Sequence, residues 1–217
     1  MGKISQGILG GFSGKVGNVI GGNWKGIDYM RVRPASVANP QTEGQVEQRS
    51  RFSTVLQFLQ PLNGFLKVGF RNYAVKMTQF NSAMSYNIKN AIIGVYPDYV
   101  IDFENALISR GGLSGALNPT VNSPAAGQVE FNWVDNSTDV NTKPTDKAMV
   151  LVYNPAKKES VYLTDGATRS TESQTLTVPN LYSGDTVYAF IAFISEDGKE
   201  ISNSKYVGEV VVANPTP

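Results

Sequence analysis

The side chains able to do chemistry in this chain are carboxylates, lysines, arginines and hydroxyls, because its 217 residues include neither histidine nor cysteine. That removes the commonest metal ligands, the near-neutral proton shuttle and the strongest nucleophile together. Ser13-Gly14-Lys15-Val16 carries the glycine–lysine pair of a phosphate-binding loop, in which backbone N–H groups cradle an anion. The motif is incomplete: Leu9 stands where its first glycine belongs, and Val16 where a hydroxyl would hold magnesium. A structural glycine turn is expected there. Asp102 and Glu104, two apart on an expected strand, would share one face with side chains about 7 Å apart, a placement for general acid and base work. No aromatic platform for a sugar accompanies them, so a charged, solvent-facing edge is the favoured reading. Asp135, Asp139 and Asp146 fall in a polar stretch that offers oxygen ligands to calcium without the spacing of a calcium loop. An ordinary solvated loop is expected. The chain is therefore expected to be no enzyme and to use no metal and no cofactor.

Charge is distributed unevenly. Residues 1–91 hold eleven Lys/Arg against three acids (Asp28, Glu43, Glu47), and residues 111–217 hold seven against twelve, which an overall charge of +1 conceals. Such polarity permits head-to-tail attraction between copies. Arg31 and Arg33 on a ribbon, Arg49 and Arg51 on a helix, and Lys67 and Arg71 beyond form the candidate interaction surface, with Trp24 and Tyr29 available for stacking on bases. The positive charges form no run. The first expectation is contact with another copy or with an acidic protein surface, and nucleic acid is the alternative partner.

No apolar run reaches the length of a membrane span. Glycine and serine interrupt the N-terminal apolar stretch before a signal-peptide core forms, so a cytoplasmic start is expected, with export that reads no N-terminal signal left open. Without cysteine there is no disulfide framework, and the redox compartment is undecided.

The elements that must carry these residues follow from pattern. Glycines at 7, 10, 11, 14, 17, 21, 22 and 26 mark backbone that bends or is closely approached. Ile27 to Arg33 alternates between two faces, predicting a ribbon that turns near Lys25-Gly26, with Ile27, Tyr29, Arg31 and Arg33 on one face. Pro34 ends that strand. Thr42 and Gln45 make a capping box, and Phe52, Val55, Leu56 and Leu59 give the following helix one apolar stripe until Pro61. A second segment spans 61–76 and a third helix runs from Phe80 to Ile92. The aromatics Phe52, Phe58, Phe65, Phe70, Tyr73, Phe80 and Tyr86 are expected in the core. A strand or bent pair of strands is expected over 99–109, and the Gly/Ser/Pro-rich stretch 111–127 as a junction between modules. From about 116, short strands recur at 129–134, 147–153, 160–163, 175–178, 186–195 and 206–212, the pattern of a β-sandwich.

This second half resembles a fibronectin type III domain on Trp133 in its early strand, Leu176 to Leu181 before a turn, Tyr188 seven residues on, and Ser202-Asn203-Ser204 ahead of the last strand. The resemblance implies binding or spacing, with Trp133 and Tyr188 in the sandwich core and Tyr188 at a corner. The first half looks like that of an uncharacterised family of bacterial proteins, on GFSGKVGNVIGGNWKG, IDYMRVRP and NPQTEGQVEQRSRF in this order. Its Asn39-Pro40-x-Thr42-x-x-Gln45-x-x-x-Arg49-x-x-Phe52 start also resembles one in short phage proteins. Together these predict an α+β protein: a basic, glycine-rich β-ribbon plus helices over 1–110, followed by an acidic, all-β fibronectin III-like sandwich over 116–214. The function expected is non-catalytic assembly or protein interaction, and the alternative is nucleic-acid binding through the basic ribbon and helix. A sandwich adhesin or carbohydrate-binding module ranks third.

Overall fold

The computed structural model describes residues 2–4, 10–24, 26–36, 39 and 41–215. Gly7, Leu9, Lys25 and Pro40, used above, lie outside the described residues. The chain divides into two units, 1–42 and 43–217.

The first unit is a four-stranded antiparallel meander in chain order: β1 (Lys3–Ile4), β2 (Phe12–Val16), β3 (Val19–Trp24) and β4 (Ile27–Val32). The expected hairpin is present as β3 and β4, in register from Val19 opposite Val32 to Trp24 opposite Ile27. The adjacent glycines Gly21 and Gly22 have a physical reason. A Cβ on Gly21 would lie 2.6 Å from the Phe12 ring, and one on Gly22 would lie 2.9 Å from the Tyr29 hydroxyl. Each glycine thus accepts one aromatic ring, on opposite faces of the ribbon.

The second unit opens with α1 (Glu43–Leu59), α2 (Asn63–Gly69) and α3 (Gln79–Asn90). The first helix starts directly after Thr42, carries Glu43 in its first turn where the helix dipole favours an acid, and stops two residues before Pro61. Thr78 caps α3, its hydroxyl accepting from the Asn81 N–H at 3.2 Å. A minimal hairpin, β5 (Ile92–Ile93) and β6 (Val100–Ile101), follows, so the strand expected over 99–103 is shorter than its apolar pattern suggested. Segment 106–109 is no strand. Buried Asn87 on α3 pins it instead, donating to the Leu107 carbonyl (2.8 Å) and accepting from the Leu107 N–H (3.0 Å).

Seven strands complete the unit: β7 (Leu117–Asn122), β8 (Gln128–Val134), β9 (Lys147–Asn154), β10 (Glu159–Leu163), β11 (Ser173–Thr177), β12 (Thr186–Ile194) and β13 (Lys205–Val211). They form a four-stranded sheet, β10-β9-β12-β13, and a three-stranded sheet, β11-β8-β7, both antiparallel. Val129, Phe131, Trp133 and Leu176 of the smaller sheet pack on Ala148, Val150, Val152, Val187, Ala189, Ile191 and Phe193 of the larger.

The residues alternating with these face the helices. Met149, Leu151, Tyr153, Phe190, Ala192 and Ile194 share a second core with Val55, Phe58, Leu59, Phe65, Leu66 and Phe70. The larger sheet is therefore covered on both sides, helices on one and the small sheet on the other, and its two central strands are apolar at almost every position rather than at alternate ones. Gly64 brings α2 close enough for the Tyr162 hydroxyl to lie over its Cα, and Phe65 meets the Tyr162 ring edge-on at 5.9 Å.

Two expectations are corrected by this packing. The division falls after Thr42 rather than between 110 and 116, because the helices close one face of the sandwich's own sheet. Residues 111–127 are likewise no free junction. Leu113 N–H bonds to the Ile201 carbonyl, the Ser204 hydroxyl accepts from Ile108 and Ser109 N–H, Ser109 donates to the Ser202 carbonyl, and β7 begins at Leu117. Of the expected core aromatics, Phe58, Phe65 and Phe70 are buried, Phe80 and Tyr86 half-buried, and Phe52 and Tyr73 exposed. Trp133 is buried, its ring edge-on to Phe193 and its indole N–H bonded to the Arg169 carbonyl at 2.8 Å. Tyr188 points the other way, stacked on Phe103 at 4.0 Å on the helix side.

Candidate interaction surface

The register of the ribbon sorts its side chains onto two unlike faces, since residues directly opposite in an antiparallel ladder point the same way. Lys15 lies opposite Ile20 and Ile20 opposite Arg31; Gly22 lies opposite Tyr29, Trp24 opposite Ile27, and Lys3 opposite Ser13. One face therefore carries Lys3, Lys15 and Arg31 with Trp24, Tyr29 and Ile27. The other carries Ile4, Phe12, Val16, Val19, Met30 and Val32, with Asn23 and Asp28 joined by a 2.7 Å hydrogen bond at one end. The three cations thus gather on one face, together with Ile20, and the other face is largely apolar. Arg33 follows β4, its N–H bonded to the Asn18 carbonyl at 2.7 Å.

Alternation in the sequence places Arg31 beside Tyr29; the register adds Trp24, and adds Lys3 and Lys15 across the two glycines. The Ser13-Gly14-Lys15 segment is strand β2, with Gly14 opposite Gly21, so its N–H groups belong to a sheet and not to an anion cradle at a helix start.

The remaining expected interaction residues belong to 43–217 and are not gathered into one patch there. Arg51 donates to Glu47 at 2.7 Å and lies over the Tyr99 ring at 4.9 Å, while the Tyr99 hydroxyl donates to the same carboxylate at 2.6 Å. The Tyr99 hydrogen bond, followed by Arg51, holds the Glu47 carboxyl below its usual range. Arg71 donates to the Gly198 carbonyl and Asn72 to that of Lys199, tying the turn after α2 to the β12–β13 connection. Arg49 sits two residues from Arg51 and so on a different side of α1. Lys67, with Leu56, Gln60, Thr78, Gln79 and Phe80, lines a groove of about 490 Å³ between the helices.

The carboxylates resolve into local roles. Asp102 accepts from the Glu104 and Asn105 N–H groups and from the Asn105 amide, closing a turn, so the imagined pair on one strand face does not form. Asp135 accepts from Ser137, Asp139 from Asn136, and buried Asp146 pairs with Arg169. Among the described residues no group of three acidic side chains is placed to hold a metal. A wide cleft of about 770 Å³ between the 141–146 loop and the β12–β13 connection is lined by Asp146, Glu196, Asp197 and Glu200, with Lys143. The Asp197 carboxyl is held well below its usual range, first by the Ser195 hydroxyl and then by Lys199.

Beneath that cleft lies a residue the sequence reading missed. Arg169 is fully buried, bonded to Asp146 (3.3 Å), Asn136 (2.5 Å) and the Ser114 and Gly115 carbonyls, and placed over the Phe193 ring at 3.8 Å. A signal was present: it is the lone arginine in 111–217 among six lysines, and a forked, weakly hydrated guanidinium suits a buried site that an ammonium does not.

A model for a family of unknown function, DUF6266, matches residues 11–208. The chain belongs to this family. The DUF6266 match runs through β2, the helices and both sheets, consistent with the uncharacterised family expected from the sequence. No curated protein matches the chain. Among the described residues no helix is long and apolar enough to cross a membrane.

Proposed function

We propose that this protein is a non-catalytic assembly or interaction protein whose N-terminal ribbon engages an acidic protein surface, that of another copy or of a second protein. The observation carrying this reading is the gathering of Lys3, Lys15 and Arg31 on one exposed face of a sheet whose described residues are mostly exposed. The cleft lined by Glu196, Asp197 and Glu200 offers the complementary charge. In this reading the sandwich is fibronectin III-like and acts as a binding or spacing module; its support is the strand order of the two sheets and the buried Trp133 between them. The likeness of the first helix start to phage proteins agrees with a structural role by analogy alone.

Nucleic acid is the second reading, favoured by Trp24 and Tyr29 standing on the same face as the cations. The test is Lys15→Gln/Arg31→Gln/Arg33→Gln, analysed by light scattering with and without nucleic acid at two salt concentrations. Exposed cations contribute little to folding, so the melting temperature should hold while the partner contact weakens. Association that is salt-sensitive without nucleic acid supports the first reading. Retention only with nucleic acid, its log affinity falling by about 0.9 per decade of salt for each duplex phosphate neutralised, supports the second. Unchanged behaviour of the triple variant overturns both.

A further inference from the structure

We infer that the aliphatic face of the ribbon, opposite its cations, is a twofold contact between two copies of this chain. The inference rests on the assembly reading above and names the surface and the occupant. Ile4, Val16, Val19, Met30 and Val32 are all exposed on this face, Met30 at 72% and Val32 at 75%, around the half-buried Phe12 ring. A four-stranded meander of this length needs an apolar face buried against something to be stable.

Three properties select a second copy as the occupant. The first is charge: Lys3, Lys15 and Arg31 all point away from this face, and Asp28 stands at one end of it, held by Asn23, so two copies can meet over the aliphatic side chains without opposing cations, whereas an acidic protein or a nucleic acid would meet a carboxylate and none of these three cations. An anionic lipid surface is equally disfavoured, because cations flanking an inserted apolar face are what hold it to headgroups, and here they project from the far side. The second is shape. Gly14, Gly21 and Met30 form one row across β2, β3 and β4, with a large side chain at one end and none at the other. A twofold mate reverses the row and lays its Met30 over the Gly14 end, reciprocally, as an isologous interface requires. The third is area. The five exposed side chains present about 500 Å² per copy, and two such faces reach the roughly 1,000 Å² at which specific interfaces begin.

The chain has no cysteine, so one introduced thiol reports on this contact alone. Met30→Cys and Val32→Cys, each in the full chain, should be joined into a species of doubled mass by a flexible bismaleimide, whose reach covers the two strand spacings, about 10 Å, that the reversed row puts between equivalent thiols, while Arg31→Cys, on the opposite face of the same strand, should not. Wild-type chain should show a concentration-dependent doubling of mass in sedimentation that persists in high salt, and Met30→Gln/Val32→Thr should shift its midpoint at least tenfold higher in concentration. A wild-type chain that stays monomeric at hundreds of micromolar overturns the inference. So does equal cross-linking of all three thiols, or binding to mixed anionic vesicles that the Met30→Gln/Val32→Thr variant abolishes. A dimer lost in high salt and in Lys15→Gln/Arg31→Gln/Arg33→Gln, but kept in Met30→Gln/Val32→Thr, also overturns it while leaving the charge-based function standing. Conversely, a salt-resistant dimer with no affinity for acidic protein or nucleic acid upholds this contact and removes the proposed partner.

Discussion

Arg169 shows how much of the second unit depends on one side chain. Its guanidinium satisfies two carbonyls of the half-buried 114–115 segment and the buried side chains of Asn136 and Asp146. Burial lowers its pKa, offset in part by Asp146, yet an arginine remains charged at any relevant pH. Arg169→Met should therefore destabilise the fold by about 3–5 kcal/mol, because Asp146 is left buried and charged without its partner. Adding Asp146→Asn should recover part of that loss, measurable by urea unfolding of the single and double variants. A second residue-scale consequence concerns alkali. The Tyr182 and Tyr206 phenols are both pushed up to about 12, by burial first and then by Glu159 and Glu209 respectively. An unfolded phenol titrates near 10, so between these values the folded chain retains protons that the unfolded chain has lost. The stability they contribute is complete below pH 10 and declines as pH rises to about 12. Urea midpoints across that window should fall, and fall less in Tyr182→Phe; a flat series would remove the assignment.

Among the elements, the helix boundaries were the most legible, since caps and prolines act locally: Thr42 and Pro61 bracket α1 within two residues. The cap on α3 is equally local, but the Asn and Ser content of the helix lowers its intrinsic propensity and masks what Thr78 and Asn87 do. Thr78→Ala should cost about 1 kcal/mol, the usual scale for a lost cap, read from the unfolding midpoint. The ribbon makes a different demand. A Cβ on Gly21 would collide with the Phe12 carbonyl oxygen, which a side-chain rotation cannot relieve. Gly21→Ala should open the β2–β3 pairing, seen as faster proteolysis within 12–32, while the melting of 43–217 stays unchanged. The glycine pattern announced such close approaches without saying which partner makes them, because the partners are set by strand register.

For the molecule as a whole, the strands of the sandwich could be read from alternation, but the layer that covers them could not be assigned by alternation alone. The runs Ala148 to Tyr153 and Ala189 to Ile194 are apolar on both faces, a sign that something lies on each side of the sheet, and the helices supply the second cover. Separating the chain at 116 would expose Met149, Leu151, Tyr153, Phe190 and Ile194. A 116–217 fragment should consequently aggregate or stay unfolded, and a 43–217 fragment should give a cooperative, monomeric transition by circular dichroism and light scattering; a folded monomeric 116–217 would overturn this view of the core. The candidate surface was half legible, since Arg31 and Tyr29 fall together by simple alternation, whereas Trp24 joins them only through the β3–β4 register and Arg51 and Arg71 are claimed by contacts distant in sequence.

The shared core also imposes an order on synthesis. The helical stripe of Phe58, Phe65 and Leu66 leaves the ribosome well before Phe190 of β12, the strand that closes over it. At roughly 5–20 residues per second, that interval lasts on the order of 10 s, during which an aliphatic and aromatic surface has no permanent cover. Nascent chains halted between residues 100 and 180 are where a holding chaperone would find this protein.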